Sequence, residues 1–309
     1  MKKLFNRNHD IGLLPYIRED IHGLYADSPQ TMGWEITKFN IPQLWIETEG
    51  DGVTVAVVDT GCDIHHEDLK HCMLEGKNFI EPGSPPMDVV GHGTHVASTI
   101  AASNNGLGMV GVAPKTKILP VKSLDNSGRG AMDNIANGII WAADHGVDFI
   151  TMSLGSPAPA PLIEKAIQYA INKRCVIFCA AGNSGPRSDI MYPAKYDGTI
   201  AIGAIDENLD RTKFTCSGDT LDFLSPGQNI LGCVPGNKYA MMSGTSMSNP
   251  FATACASLLL SYNKKHKKYK LNSYLDYIEV FKKHAKDLNN PEYKGIKKYQ
   301  GYGILYPIF

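Results

Sequence analysis

Short apolar runs rich in β-branched residues alternate along this chain with helix-length amphipathic stretches, and few folds accept that alternation. Residues 53–58 (VTVAVV), 118–121, 148–152, 175–180 and 200–204 read as buried strands, too uniformly apolar to expose one face. Between them, the segment opening at Gly91 and running to about residue 103, residues 131–145 and residues 162–172 carry helical periodicity. Strand and helix in turn at this spacing predict an α/β fold in three layers: a mostly parallel central sheet with right-handed crossovers and helices on both faces. A β-rich stretch at 222–242, a helix after Ser246 and a charged amphipathic helix near 273–285 follow. No internal repeat or low-complexity linker divides the chain, so one large domain is expected over 28–309. Residues 1–27 are polar and irregular, broken by Gly12, Pro15 and Gly23, and are expected to form an N-terminal extension with neither helical nor strand period.

Composition removes several classes of function. A formal net charge of -1 leaves no electrostatic footprint for nucleic acid or an anionic membrane, and the basic run at 264–270 reads as a solvated helix end. The N-terminus has a Lys2-Lys3 pair but no continuous apolar stretch behind it, so no secretory leader is expected; no segment is apolar for long enough to span a bilayer. The 7 cysteines lack metal-ligand spacing and fall mostly inside apolar runs, which predicts buried free thiols and a reducing, cytoplasmic location.

In an open parallel sheet, function collects at the carboxyl ends of the strands. Asp59 ends the first strand, His92 opens a helix between two glycines, Asn183 follows the strand at 175–180, and Ser246 stands at the mouth of a helix behind Gly244. Taken singly, Asp59 and Asn183 read as turn residues and Ser246 as a helix cap. Together they are the parts of nucleophilic acyl transfer. A serine hydroxyl needs a base to take its proton, which is the role expected of His92; the imidazole needs a carboxylate to fix its tautomer, the role of Asp59. Asn183 would donate to the developing oxyanion beside the backbone N–H of Ser246. Cys62 beside Asp59 is a weaker candidate nucleophile, and His95 reads as a core histidine.

VAVVDTGCD at 55–63, GHGTHVA at 91–97, SLGS at 153–156, AAGNSG at 180–185 and GTSM at 244–247 resemble the conserved blocks of the subtilases, and the likeness runs from about Gln30 to Tyr306. The resemblance implies a serine endopeptidase acting on polypeptides, with Ser153, Leu154 and Gly155 and the stretch from Gly128 to Gly130 as edge strands for an extended substrate. Within the family the chain is most similar to the intracellular subtilisins, because Leu13-Leu14-Pro15-Tyr16 resembles the short motif by which their N-terminal extension lies over the active site as an inhibitor until it is removed. The likeness also implies a calcium site built from Gln30, Asp68, Ser103, Asn105, Leu107 and Met109, with a weaker second cation position near Ala194, Tyr196 and Thr199. Some positions depart from the family pattern. Ser248, Asn249 and Phe251 follow Met247 where small residues, a proline and a histidine are usual; Val90 and Ser98 flank the histidine block unusually; and Met191 falls where a small residue commonly lines the pocket for the residue before the scissile bond. The chain stops soon after Tyr306, short of the tail through which intracellular members exchange contacts, which leaves a homodimer open as a partner state. The departures near Ser246 keep a second reading open, a subtilisin-fold regulatory or binding protein with little turnover.

Overall fold

The computed structural model describes residues 10–309. The first nine residues of the expected extension, the Lys2-Lys3 pair among them, lie outside these. In chain order the elements are β1 (Asp10–Leu13), β2 (Ile17–Ile21), α1 (Trp34–Lys38), α2 (Ile41–Trp45), β3 (Thr54–Asp59), β4 (Lys77–Asn78), α3 (His92–Ala101), β5 (Lys117–Lys122), β6 (Arg129–Ala131) and α4 (Met132–Asp144). There follow β7 (Phe149–Met152), β8 (Leu154–Gly155), α5 (Pro161–Asn172), β9 (Val176–Ala180), β10 (Thr199–Ile205), β11 (Phe223–Pro226), β12 (Ile230–Val234), β13 (Lys238–Ser243), α6 (Thr245–His266), α7 (Tyr274–Lys282) and α8 (Lys297–Gln300).

The central sheet has 7 strands in the order β11-β10-β9-β7-β3-β5-β4, and every neighbouring pair is parallel. Every residue of β7, β9 and β10 is buried. Burial of successive side chains, which point to opposite faces, requires cover on both sides of the sheet. Two helix pairs supply it: α4 lies against α5, and α3 lies against α6. The three-layer α/β architecture expected from the alternation is therefore the one observed. From β3 the chain builds outward to β5 on one side and then to β7, β9, β10 and β11 on the other. That reversal opens a crevice at the carboxyl ends of β3 and β7, where a doubly wound sheet binds its ligands.

One expectation fails. Residues 10–21 are not irregular: β1 is the middle strand of a 3-stranded sheet, β6-β1-β8, and β2 is an edge of another, β12-β13-β2. Neither strand carries its own hydrophobic alternation because each is specified by the ladder that receives it. β2 turns most of its side chains to solvent and is held by backbone pairing to β13.

All 7 cysteines are free and buried. No helix among the described residues is long and apolar enough to cross a membrane. Glu35, on α1, is only 3% exposed, and one carboxyl oxygen has no hydrogen-bond partner. Burial pushes its carboxyl up from 4.5 to about 7. The raised value means the folded protein holds this proton more tightly than the unfolded chain, so the associated stability is full below pH 4.5 and is lost as pH rises through about 7. Glu35→Gln is expected to gain up to about 3 kcal/mol over the parent near pH 8 and much less near pH 5, read as a pH-dependent gap in melting temperature. A gap that does not change with pH would refute this assignment.

Candidate active site

Asp59 is delivered by the carboxyl end of β3 and is fully buried. Its Oδ1 accepts from His92 Nδ1 at 2.8 Å and from the Thr60 amide at 2.7 Å. The carboxylate therefore fixes the imidazole with its proton on Nδ1, leaving Nε2 as the basic atom. The turn that leads into His92 is braced by a residue that the sequence reading missed, Asp88. Its two oxygens accept from the amides of Val90, Gly91 and Thr94 and from the Thr60 and Thr94 hydroxyls, all between 2.7 and 3.0 Å. A carboxylate at a helix N-terminus satisfies otherwise orphaned N–H groups and suits the positive end of the dipole. Asp88 lies in a proline-rich loop four residues before His92, a spacing that offers no recognisable capping signature. Cys62 is unsuited to nucleophilic attack, since burial and then the nearby Asp88 and Asp59 push its thiol well above the usual range. His95 is a core histidine: its Nε2 meets Ile230 O at 3.0 Å, and burial lowers it to about 3.

Ser246 stands in the first turn of α6, a 22-residue helix buried through Leu259. Its hydroxyl donates to Ser153 O at 3.3 Å, while His92 Nε2 is buried without a hydrogen-bond partner among the described residues. The Ser246 hydroxyl is thus directed to Ser153 O, and no hydrogen bond joins it to His92. Asn183 Oδ1 accepts from the backbone amide and the hydroxyl of Thr245 at 2.9 and 2.7 Å. These two bonds decide the orientation of its amide and turn Nδ2 outward as a donor.

That donor is already engaged: Asn183 Nδ2 bonds Pro15 O at 2.8 Å. β1 runs antiparallel between β6 and β8, with Ile11 opposite Gly130, Gly12 opposite Gly155 and Leu13 opposite Leu154. The Leu13 amide donates to Gly128 O at 2.9 Å. A β-carbon at Gly128 would come within 2.8 Å of Leu13 Cδ1, and one at Gly155 within 2.9 Å of Leu14 Cδ2 and 3.4 Å of Met191 Cβ. Bare glycine walls thus admit the two leucines, and Leu14, 1% exposed, is seated near Met191. The Tyr16 ring lies 5.1 Å from the His92 ring, and burial raises its hydroxyl above the ordinary tyrosine value. Beyond the bend, Ile17 pairs with Ser243 at the end of β13, and Arg18 Nη1 donates to Val90 O at 2.9 Å. The Leu13–Tyr16 stretch and the edge residues from Gly128 to Gly130 and Ser153 to Gly155 are therefore all at the crevice.

The six residues expected at the cation loop also come together. Gln30 Nε2 donates to Ser103 O at 2.8 Å and faces Leu107 O and Met109 O at 3.4 and 3.5 Å. Asp68 Oδ2 accepts from the Met109 amide at 2.9 Å and from the Tyr239 hydroxyl at 2.8 Å, and burial raises this carboxyl. Asn105 Oδ1 closes the loop on the Leu107 amide at 3.0 Å. Three carbonyls converging on one point beside a carboxylate form a donor set for a hard cation. The Gln30 amide, turned over, would add Oε1 to it. A cavity of about 700 Å³ reaches Asp68, Ser103, Asn105 and Leu107 from the side of Tyr25 and Asp27. At the second position, the Thr199 hydroxyl itself donates to Tyr196 O at 2.9 Å and lies 3.2 and 3.4 Å from the carbonyls of Ala194 and Pro193.

The profile of the subtilase family matches residues 50–303. The chain is 39% identical over 273 residues to the intracellular serine protease of Paenibacillus polymyxa, covering 86% of this chain and 82% of that protein. It is 36% identical over 275 residues to the major intracellular serine protease of Bacillus subtilis, covering 86% and 85% respectively. Subtilisin BL of Lederbergia lenta is 40% identical over 248 residues, 80% of this chain and 90% of its own length.

Proposed function

This chain belongs to the subtilase family and is a serine endopeptidase, and from that premise we propose that Ser246, His92 and Asp59 form its catalytic triad, with Asn183 as oxyanion donor. The observation that carries the assignment is the Pro15–Tyr16 bend, where a backbone carbonyl meets Asn183 and an aromatic ring covers His92. In the reaction His92 Nε2 takes the proton of Ser246 as its oxygen attacks the scissile carbonyl, and returns it to the leaving amine; Asp59 stabilises the imidazolium between the two steps. The oxyanion is met by Asn183 Nδ2 and the backbone N–H of Ser246. Extended polypeptides would pair with the edges at Gly128, Gly130, Leu154 and Gly155, a backbone recognition tolerant of sequence. Labelling by a fluorophosphonate, lost in Ser246→Ala, is the direct test.

We also read residues 1–27 as an inhibitory extension to a catalytic domain over 28–309. Two features support latency. Leu14 is the side chain buried against Gly155, near Met191, while the carbonyl at Asn183 belongs to the next residue, Pro15, so side chain and carbonyl are out of step by one. In addition, Ser246 is bonded to Ser153 O rather than to its base. The free buried thiols, and the likeness to two proteases named as intracellular, support a cytoplasmic location.

Calcium is the cation that the loop at Gln30, Asp68, Ser103, Asn105, Leu107 and Met109 suits best. When bound, it would neutralise Asp68 and tie the loop to the segment around Gln30. A ligand held only by the folded state raises stability, by about 2.7 kcal/mol at a hundred times its Kd. A chelator is therefore expected to lower the melting temperature of the parent but not that of Asp68→Asn. Equal behaviour of the two proteins would count against the metal.

A further inference from the structure

We propose that Asn249 is a positioning residue for the nucleophile, an inference that rests on reading Ser246 as that nucleophile. Asn249 is fully buried in α6, three residues beyond Ser246. Its Nδ2 donates to Thr151 Oγ1 at 2.8 Å and to Met152 O at 3.2 Å, and lies 3.4 Å from both Ser153 Oγ and Phe178 O. One amide group thus ties the start of α6 to the carboxyl end of β7, to the residue that follows it, and to β9. Its own Oδ1 has no partner. A buried amide that leaves its acceptor orphaned is held in place by its donor side.

The next residue shows what this tie controls. Pro250 lies inside α6 and has no N–H, so the Ser246 carbonyl loses the donor that a regular helix would give it. Ser153 Oγ supplies the missing donor, at 2.9 Å to Ser246 O. The direction is consistent along the line: Asn249 Nδ2 faces Ser153 Oγ as donor, and Ser153 Oγ donates to Ser246 O. In return, Ser246 Oγ rests on Ser153 O at 3.3 Å. Ser153 and Ser246 therefore hold each other twice, and Asn249 holds the backbone from which Ser153 projects. For catalysis the Ser246 hydroxyl must leave Ser153 O and turn to His92 Nε2. The starting point of that rotation is set by residues 151–153, so a shift there changes the fraction of molecules in which the serine can attack.

The test compares Asn249→Ala, Asn249→Asp and Asn249→Ser in the more active of the full-length chain and its Leu14→Asp form, with Ser246→Ala as control. Alanine removes the donor, and aspartate keeps the shape but presents an acceptor to Met152 O. Both are expected to lower kcat at least about ten-fold with KM changed little, and to slow fluorophosphonate labelling in parallel, since small misplacements of a reacting group cost up to roughly 10² in rate. Serine, which keeps one hydroxyl donor, should recover part of the loss. If the alanine and aspartate forms fail to fold, Ser153→Ala removes only the hydroxyl between Asn249 and Ser246 and is expected to lower kcat by a smaller factor. A fall in melting temperature with kcat and labelling unchanged per folded molecule would make Asn249 merely structural and overturn the proposal. Turnover that survives Ser246→Ala would instead sink the nucleophile assignment beneath it.

Discussion

Replacing Ser246 with alanine is expected to abolish both peptide hydrolysis and fluorophosphonate labelling while leaving the melting temperature close to that of the parent. The hydroxyl makes one long bond, to Ser153 O at 3.3 Å, and its loss opens little space, so stability has small reason to fall. Activity does. Subtilisin, a relative of this chain, loses about 10⁶ in kcat when its nucleophile or its base is removed, and a loss of that order is the expected result here. The same reasoning makes the losses non-additive. A serine that cannot be deprotonated gains nothing from its neighbours, so His92→Ala alone and Ser246→Ala/His92→Ala together should fall to the same residual rate. As the proposed oxyanion donor, Asn183 would act on a different quantity, the charge of the tetrahedral intermediate, and Asn183→Ala is expected to cost roughly 10²–10³, a figure that again comes from subtilisin itself. A double substitution much slower than Ser246→Ala alone would mean that His92 contributes something besides activating Ser246.

The layers of the fold were legible because β3, β7, β9 and β10 are buried on both faces and therefore carry unbroken apolar runs, a signal local to each strand. β1 and β2 were not, because their conformation comes from β6, β8 and β13; an extended segment that borrows its ladder needs no pattern of its own. The same division runs through the site. Asp59, His92, Asn183 and Ser246 stand at strand or helix ends inside recognisable blocks, so residue type and place coincide. Asp88 also ties the turn before His92 to Thr60 across 28 residues, and Asn249 reaches Thr151 across 98, and only the folded chain brings those partners together. Phe251, a departure close to Ser246 in sequence, has a packing reason: its ring meets Phe39 edge-on at 5.2 Å. Ser98, another, accepts from the Cys233 amide at 2.8 Å and so joins α3 to β12.

Leu14→Asp is expected to raise the peptidase activity of the full-length chain by at least about ten-fold, and deletion of the residues before Asp27 to raise it at least as far. Leu14 is 1% exposed between Gly155 and Met191. Burying a leucine side chain is worth about 1.5–3 kcal/mol, and an aspartate there would have to give up its hydration or its charge. If the docked extension holds the site closed, each 1.4 kcal/mol removed from docking opens about ten times more molecules until the closed state is no longer dominant. The extension is also anchored on the far side of the bend, where β2 pairs with β13 from Ile17 opposite Ser243 to Ile21 opposite Tyr239. A tethered strand re-docks at high effective concentration, so the aspartate variant should stop short of the deletion. Pro15→Gly probes the other half of the device. With the fixed φ of proline gone, the Leu14 side chain and its own carbonyl can come into step at Ser246 and Asn183, and the extension is expected to be cut by the enzyme itself. Mass spectrometry of that variant should find a new N-terminus at residue 15, and its Ser246→Ala derivative should remain intact. Unchanged activity in both Leu14→Asp and the deletion would show that the extension crosses the crevice without restraining the enzyme.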